Sequence, residues 1–226
     1  MTPPPDLPVS GVPASVLPPA VAADADWLRA NVADFRAISS PHGRASLAPR
    51  PSGFPALVRH ILEQQVSTKA AAAMWAKLAA RVDGVTPEAL MALDEAALKA
   101  CGFSRQKTRY VRALAEAVQD GSFDLAAVAA DPDDEAAIAA LTVLPGIGRW
   151  TAENYLLWSL GRRDILPAGD LALLVAWQWL SGAAARPKPD ELRALAEAWR
   201  PRRSAATFLL WHFYLDTTER PAPPPK

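Results

Sequence analysis

The chain has 226 residues, enough for one large or two small domains around a substantial core. Half of it is apolar, and 24 Lys+Arg balance 24 Asp+Glu, so no global charge advertises nucleic acid and any such contact needs a local basic face. A single cysteine, Cys101, excludes a disulfide framework and a multi-cysteine cluster, and His42, His60 and His212 are too scattered for a zinc site.

In chain order, seven prolines by residue 19 predict a flexible arm over residues 1–23. Asp24 or Asp26 is placed to cap a helix carrying Trp27, Leu28, Val32 and Phe35, followed by a loop with Pro41, Pro49, Pro51 and Pro55. Phe54, Leu57, Val58, Ile61 and Leu62 form a helical stripe ending near Gln65, and Ser67 caps the next helix through Ala80. Segments Pro87–Leu93, Glu95–Cys101, Ser104–Val118, Leu125–Ala129 and Asp134–Leu144 read as helices. So do Trp150–Leu160, Asp170–Leu180, Pro189–Trp199 and Ser204–Asp216, before a Pro-rich tail at 220–226. Strand signals are almost absent, so the fold class is all-α. No basic segment leads into an apolar one at the N-terminus, and the longest apolar run, Leu171–Leu180, falls far short of the ~20 residues that span a bilayer; a cytoplasmic protein without membrane contact is expected.

The most informative string is Leu144-Pro145-Gly146-Ile147-Gly148-Arg149-Trp150-Thr151-Ala152, with Asp170 following at the start of the next predicted helix. Pro145, Gly146 and Gly148 allow a sharp turn between two helices. Backbone N–H groups at the start of the second helix, together with Arg149, suit a phosphate and read no base sequence. Taken alone, the pentapeptide is more often a plain connector. Asp170, likewise, is an ordinary helix N-cap by its local sequence. Basic residues cluster at Arg105, Lys107, Arg109 and Arg112, at Arg162 and Arg163, and at Arg200, Arg202 and Arg203, which singly fit solvated helix faces.

The whole string resembles the helix-hairpin-helix of the base-excision DNA glycosylase superfamily, and Arg149-Trp150-Thr151-Ala152 is similar to the 3-methyladenine DNA glycosylase II (AlkA-type) branch. The resemblance covers roughly Trp27 to Asp216 and implies a compact form without the extra N-terminal domain. It implies two helical lobes with a DNA cleft between them: residues 24–65 with 182–219, and 66–181 with the hairpin at 144–149. Asp170 is then the carboxylate that faces the sugar, stabilising an oxocarbenium-like C1′ or orienting water. Trp150, Asn154 and Trp211 fall on base-pocket positions, Asn154 where the best-known type has an aromatic. Gln64, Gln65, Ser67 and Lys107, with Leu144, Gly146, Ile147, Gly148, Arg149 and Thr151, fall on DNA-binding positions, Gln65 as the side chain inserted into the emptied stack.

Tryptophan at 150, where lyase-type relatives carry a Schiff-base lysine, implies a monofunctional enzyme. The implied substrate is double-stranded DNA with alkylated bases, of 3-methyladenine or 7-methylguanine type, flipped out of the helix. A glycosylase for another lesion, or a non-catalytic helix-hairpin-helix DNA-binding module, stays open as an alternative. No cofactor, no resident metal and no iron–sulfur cluster are expected, although the hairpin is compatible with a monovalent cation. A monomer associated with the bacterial nucleoid is the expected state.

Overall fold

The computed structural model describes residues 17–39 and 50–219, and among them every regular element is helical. Helix α1 spans Pro19–Asn31. Eight helices follow: α2 Phe54–Glu63, α3 Thr68–Ala79, α4 Pro87–Ala92, α5 Glu95–Ala100, α6 Arg105–Gln119, α7 Leu125–Ala130, α8 Asp134–Thr142 and α9 Arg149–Trp158. The last three are α10 Leu171–Ser181, α11 Pro189–Leu195 and α12 Arg203–Glu219.

Most of these helices start where a short polar side chain meets an otherwise orphaned N–H. Ser67, Thr86, Asp94, Ser104, Asp124, Asp133 and Asp170 each accept a hydrogen bond from the first turn of the helix they precede. Each such cap is worth about 1 kcal/mol.

The chain folds as two compact units. The described part of one is residues 17–39 with 161–219; the other is residues 50–160. In the second unit α2 packs on α3, α6 and α9, because Leu57, Val58, Ile61 and Leu62 are fully buried along one face of α2. In the first unit α12 packs against both α1 and α10, over a ring cluster in which Phe35 and Trp177 each lie 5.1 Å from Trp199.

Three boundaries differ from the sequence expectation. The units divide at residues 49/50 and 160/161, not at 65/66 and 181/182: the apolar face of α2 belongs to the second core, and α10 belongs with α12. The arm expected over 1–23 does not extend to residue 23, since α1 begins at Pro19, with proline pre-set in its first turn and Val21, Ala22, Ala25 and Leu28 buried. Asp24 therefore lies within α1 and caps nothing; its buried carboxylate holds Arg163 through contacts of 2.7–3.0 Å. The remainder of the arm, residues 40–49 of the proline-bearing loop and the tail at 220–226 lie outside the described residues.

Candidate functional site

In the unit of residues 50–160, the turn between α8 and α9 is built from its anchors outward. Leu144 and Ile147 are buried, and the Ile147 N–H bonds the Leu144 carbonyl at 3.1 Å, so their side chains fasten the turn and only their backbone faces outward. Gly146 has φ +86°, and a Cβ there would lie 2.2 Å from the Tyr110 ring, so glycine is required twice over. Gly148 has φ −85° and open space around it, so it is not a left-handed position. As N-cap of α9 it offers no side chain, and the N–H groups of the first turn must be met from outside the helix.

Gln64 joins this turn to α2. Its Nε2 donates to the Gly146 carbonyl at 2.8 Å and to Thr151 Oγ1 at 3.2 Å, tying the exit of α2 to both ends of the hairpin. The next residue, Gln65, is exposed and is the one described non-glycine residue at positive φ, +56°. A non-glycine residue in this region costs about 1–2 kcal/mol, so the neighbouring Gln64 braces hold a strained, outward-pointing side chain in place. Gln64, Gln65, Gln106, Lys107, Tyr110 and residues 142–148 line one open concavity of about 520 Å³.

Lys107 is not an open cation. Its ammonium donates to the Leu62 carbonyl, and burial, opposed by the Glu63 charge, pulls its pKa below the ordinary lysine value. Arg149 is engaged as well, through two bonds to Glu135 (2.6 and 2.9 Å) and one to Glu153 (2.8 Å). These carboxylates, Glu135 first, hold the guanidinium charged, and they also offset its charge at the hairpin. Sequence reasoning missed both partners; the i,i+4 spacing of Arg149 and Glu153 was the available signal.

Further along α9, Trp150 is 38% exposed, whereas Asn154 is buried. Its amide donates to the Trp150 carbonyl at 2.8 Å and accepts from Trp158 Nε1 at 3.0 Å, so Asn154 is turned inward along its own helix. Ser67 serves as the N-cap of α3.

In the other unit, Asp170 is 6% exposed and caps α10 by accepting from the Ala172 N–H at 2.8 Å. The loop that delivers it is stitched to the start of α12. Ser204 Oγ accepts from the Ile165 N–H at 3.0 Å and donates to the Arg162 carbonyl at 2.5 Å, while Thr207 Oγ1 donates to the Ile165 carbonyl at 3.2 Å. Asp164 takes Arg203 and Arg200 at 2.9 Å each. Trp211, also on α12, stands edge-on to Tyr214 at 6.2 Å, and Tyr214 stacks on Trp179 at 5.7 Å and 7°. Burial, and then the Asp170 charge, push the Tyr214 hydroxyl pKa up. Nothing in the sequence marks Tyr214 as a neighbour of this carboxylate. The chemistry of a buried carboxylate beside electron-rich rings is stabilisation of developing positive charge.

Among the described residues no cluster of His, Cys, Asp and Glu could hold a metal ion, and no helix is long and apolar enough to cross a membrane.

Comparison with known proteins gives a consistent set of likenesses. The family model described as "HhH-GPD superfamily base excision DNA repair protein" matches residues 58–201. A Schizosaccharomyces pombe protein named DNA-3-methyladenine glycosylase 1 is 33% identical over 158 residues, 69% of each chain. A solved structure of an S. pombe 3-methyladenine DNA glycosylase (Mag1) in complex with abasic DNA superposes with TM-score 0.73 at 28% identity, covering 84% of this chain and 95% of that one. A DNA-3-methyladenine glycosidase from Bacillus halodurans superposes with TM-score 0.73 at 30% identity, covering 87% and 91%.

Proposed function

Because the chain belongs to the HhH-GPD superfamily of base excision DNA repair proteins, we propose that it is a monofunctional DNA glycosylase. Its reaction is hydrolysis of the N-glycosidic bond of alkylated bases, of 3-methyladenine or 7-methylguanine type, in double-stranded DNA. The relatives named above carry 3-methyladenine DNA glycosylase or glycosidase activity in their names.

The observation that carries the reading is Asp170, a buried carboxylate held rigidly at a helix start. The target base leaves the stack before reaction, at a cost of a few kcal/mol that damaged pairs partly spare. As the C1′–N bond lengthens, C1′ gains positive charge, and an anion fixed in a water-poor site stabilises it. The same carboxylate orients the water that adds to C1′. An alkylated purine is already cationic and departs without a general acid; the electron-rich face of Trp211, on the unit that holds Asp170, suits such a ring. Position 150 holds tryptophan, so no amine is available there for a Schiff base and the product is an abasic site. Gln65, presented at positive φ, fills the vacated stack, and the hairpin backbone holds a phosphate. The reading requires no cofactor, and it treats the protein as a cytoplasmic monomer acting on nucleoid DNA.

Release of free methylated bases from alkylated duplex DNA tests it, with Asp170→Asn as the partner variant. Asparagine keeps the helix cap and removes the charge, so the expected result is release by the wild type and a loss of about 10²-fold or more in the variant. No release by folded wild-type protein overturns the reading.

A further inference from the structure

The proposed reaction requires a grip on a polyanion, yet the net charge is zero and the hairpin arginine is taken by Glu135 and Glu153. Other arginines are spent in the same way: Arg50 on Glu63, Arg163 on Asp24, Arg200 and Arg203 on Asp164. One surface is different. Lys99, Arg105, Arg109 and Arg112 line a groove of about 900 Å³ along α5 and α6, and none of the four forms an ion pair among the described residues. Glu95 and Glu116 share the groove without pairing to them, so positive charge remains in excess.

The arrangement is linear. Arg105, Arg109 and Arg112 recur at i, i+4 and i+7, on one face of α6, over about 10 Å of helix axis. That length matches about three phosphates of one DNA strand. Arg112 donates to the Leu93 carbonyl and so stiffens the wall, while Lys99, Arg105 and Arg109 are exposed. Helix α6 also links the groove to the hairpin: the Arg109 guanidinium lies 5.4 Å from the Tyr110 ring centre, and that ring is the one packed against Gly146. Gln106 and Tyr110 line the hairpin concavity, and Arg109 lines the groove, on adjoining faces of the same helix.

We propose that the α5–α6 groove is a second DNA-backbone surface, which takes the phosphates of duplex flanking the lesion and supplies most of the salt-dependent part of binding. It reads no base; its ligand is the sugar–phosphate backbone. This inference rests on the glycosylase reading above.

The test is a Lys99→Gln/Arg105→Gln double variant, whose altered side chains are exposed and unpaired, titrated against undamaged duplex by fluorescence anisotropy from about 50 to 200 mM salt. Thermal unfolding and single-turnover base release at saturating DNA serve as controls and should match the wild type. The expected result is a plot of log K against log salt whose slope is shallower by about 0.9 for each phosphate no longer neutralised, close to 2 in all, with the two proteins converging at high salt. An unchanged slope with base release intact overturns the groove as a DNA surface. Wild-type protein that neither binds duplex nor releases base overturns the glycosylase reading itself, and the groove proposal with it.

Discussion

The Tyr110 ring occupies the space that a side chain on Gly146 would need: a Cβ there would lie 2.2 Å from it. Helix α6 thus shapes the hairpin between α8 and α9 by direct contact. Gly146→Ala must also adopt φ +86°, so a loss of at least about 2 kcal/mol is expected in urea unfolding, together with weakened duplex binding. Gly148→Ala meets neither obstacle, and its cost should stay below about 1 kcal/mol. Equal effects of the two substitutions would remove the turn geometry from the account.

Arg149 is shared between Glu135 and Glu153, and the Glu135 pair is largely exposed. On the proposed reading, phosphate competes with that carboxylate for Arg149. Glu135→Gln should therefore tighten duplex binding at low salt, by up to roughly five-fold, since an exposed pair is worth about 1 kcal/mol or less. Weaker binding in the variant would mean that Glu135 orients Arg149 toward DNA and does not restrain it.

Ser204 is 1% exposed and satisfies both sides of the loop that delivers Asp170. Ser204→Ala leaves the buried Ile165 N–H without this partner, at a cost of about 1–3 kcal/mol. Single-turnover base release should fall while duplex affinity holds, because the hairpin belongs to the other unit. Ser204→Ala with full activity would separate the stitched loop from catalysis.

His60 is buried, and its pKa is held down to about 4 by that burial and by the charges of Arg50 and Arg59, with Glu63 acting in the opposite direction. The unfolded chain takes up this proton near pH 6.5 and the folded protein only near 4. The stability is thus complete above about 6.5, declines as pH falls from there to about 4, and loses nothing further from this group below that. The decline amounts to about 3 kcal/mol. Urea unfolding across that window checks it, and His60→Gln should flatten the dependence.

Helix starts are legible in sequence because Ser67, Ser104 and Asp170 are capping residues whose backbone chemistry is local. The start of α1 is not. Asp24 looks like a cap, and only the distant Arg163 reveals that it is an ion-pair partner inside the helix. The boundaries between the two units escape for the same reason, since the allegiance of α2 and α10 is set by packing across the chain. Within the candidate site, the string from Leu144 to Thr151 announces a turn. It does not announce that Arg149 is compensated by Glu135, that Gln64 braces Gly146, or that Tyr110 fills the space over that glycine. Those relationships join residues on different helices, and spacing along one helix is silent about them.

The stitching of residues 162–165 to Ser204, Thr207 and Arg203 also bears on synthesis. A ribosome delivers residues 50–160, hairpin included, as one continuous stretch that can collapse as soon as it emerges. The unit that holds Asp170 is assembled from two separated stretches, and α1 and the Asp170 loop both wait for α12, which is translated after them. A nascent chain therefore completes the turn proposed to hold DNA before the proposed catalytic carboxylate is seated, so on this reading the capacity to cut a base from DNA arrives later than the capacity to touch it.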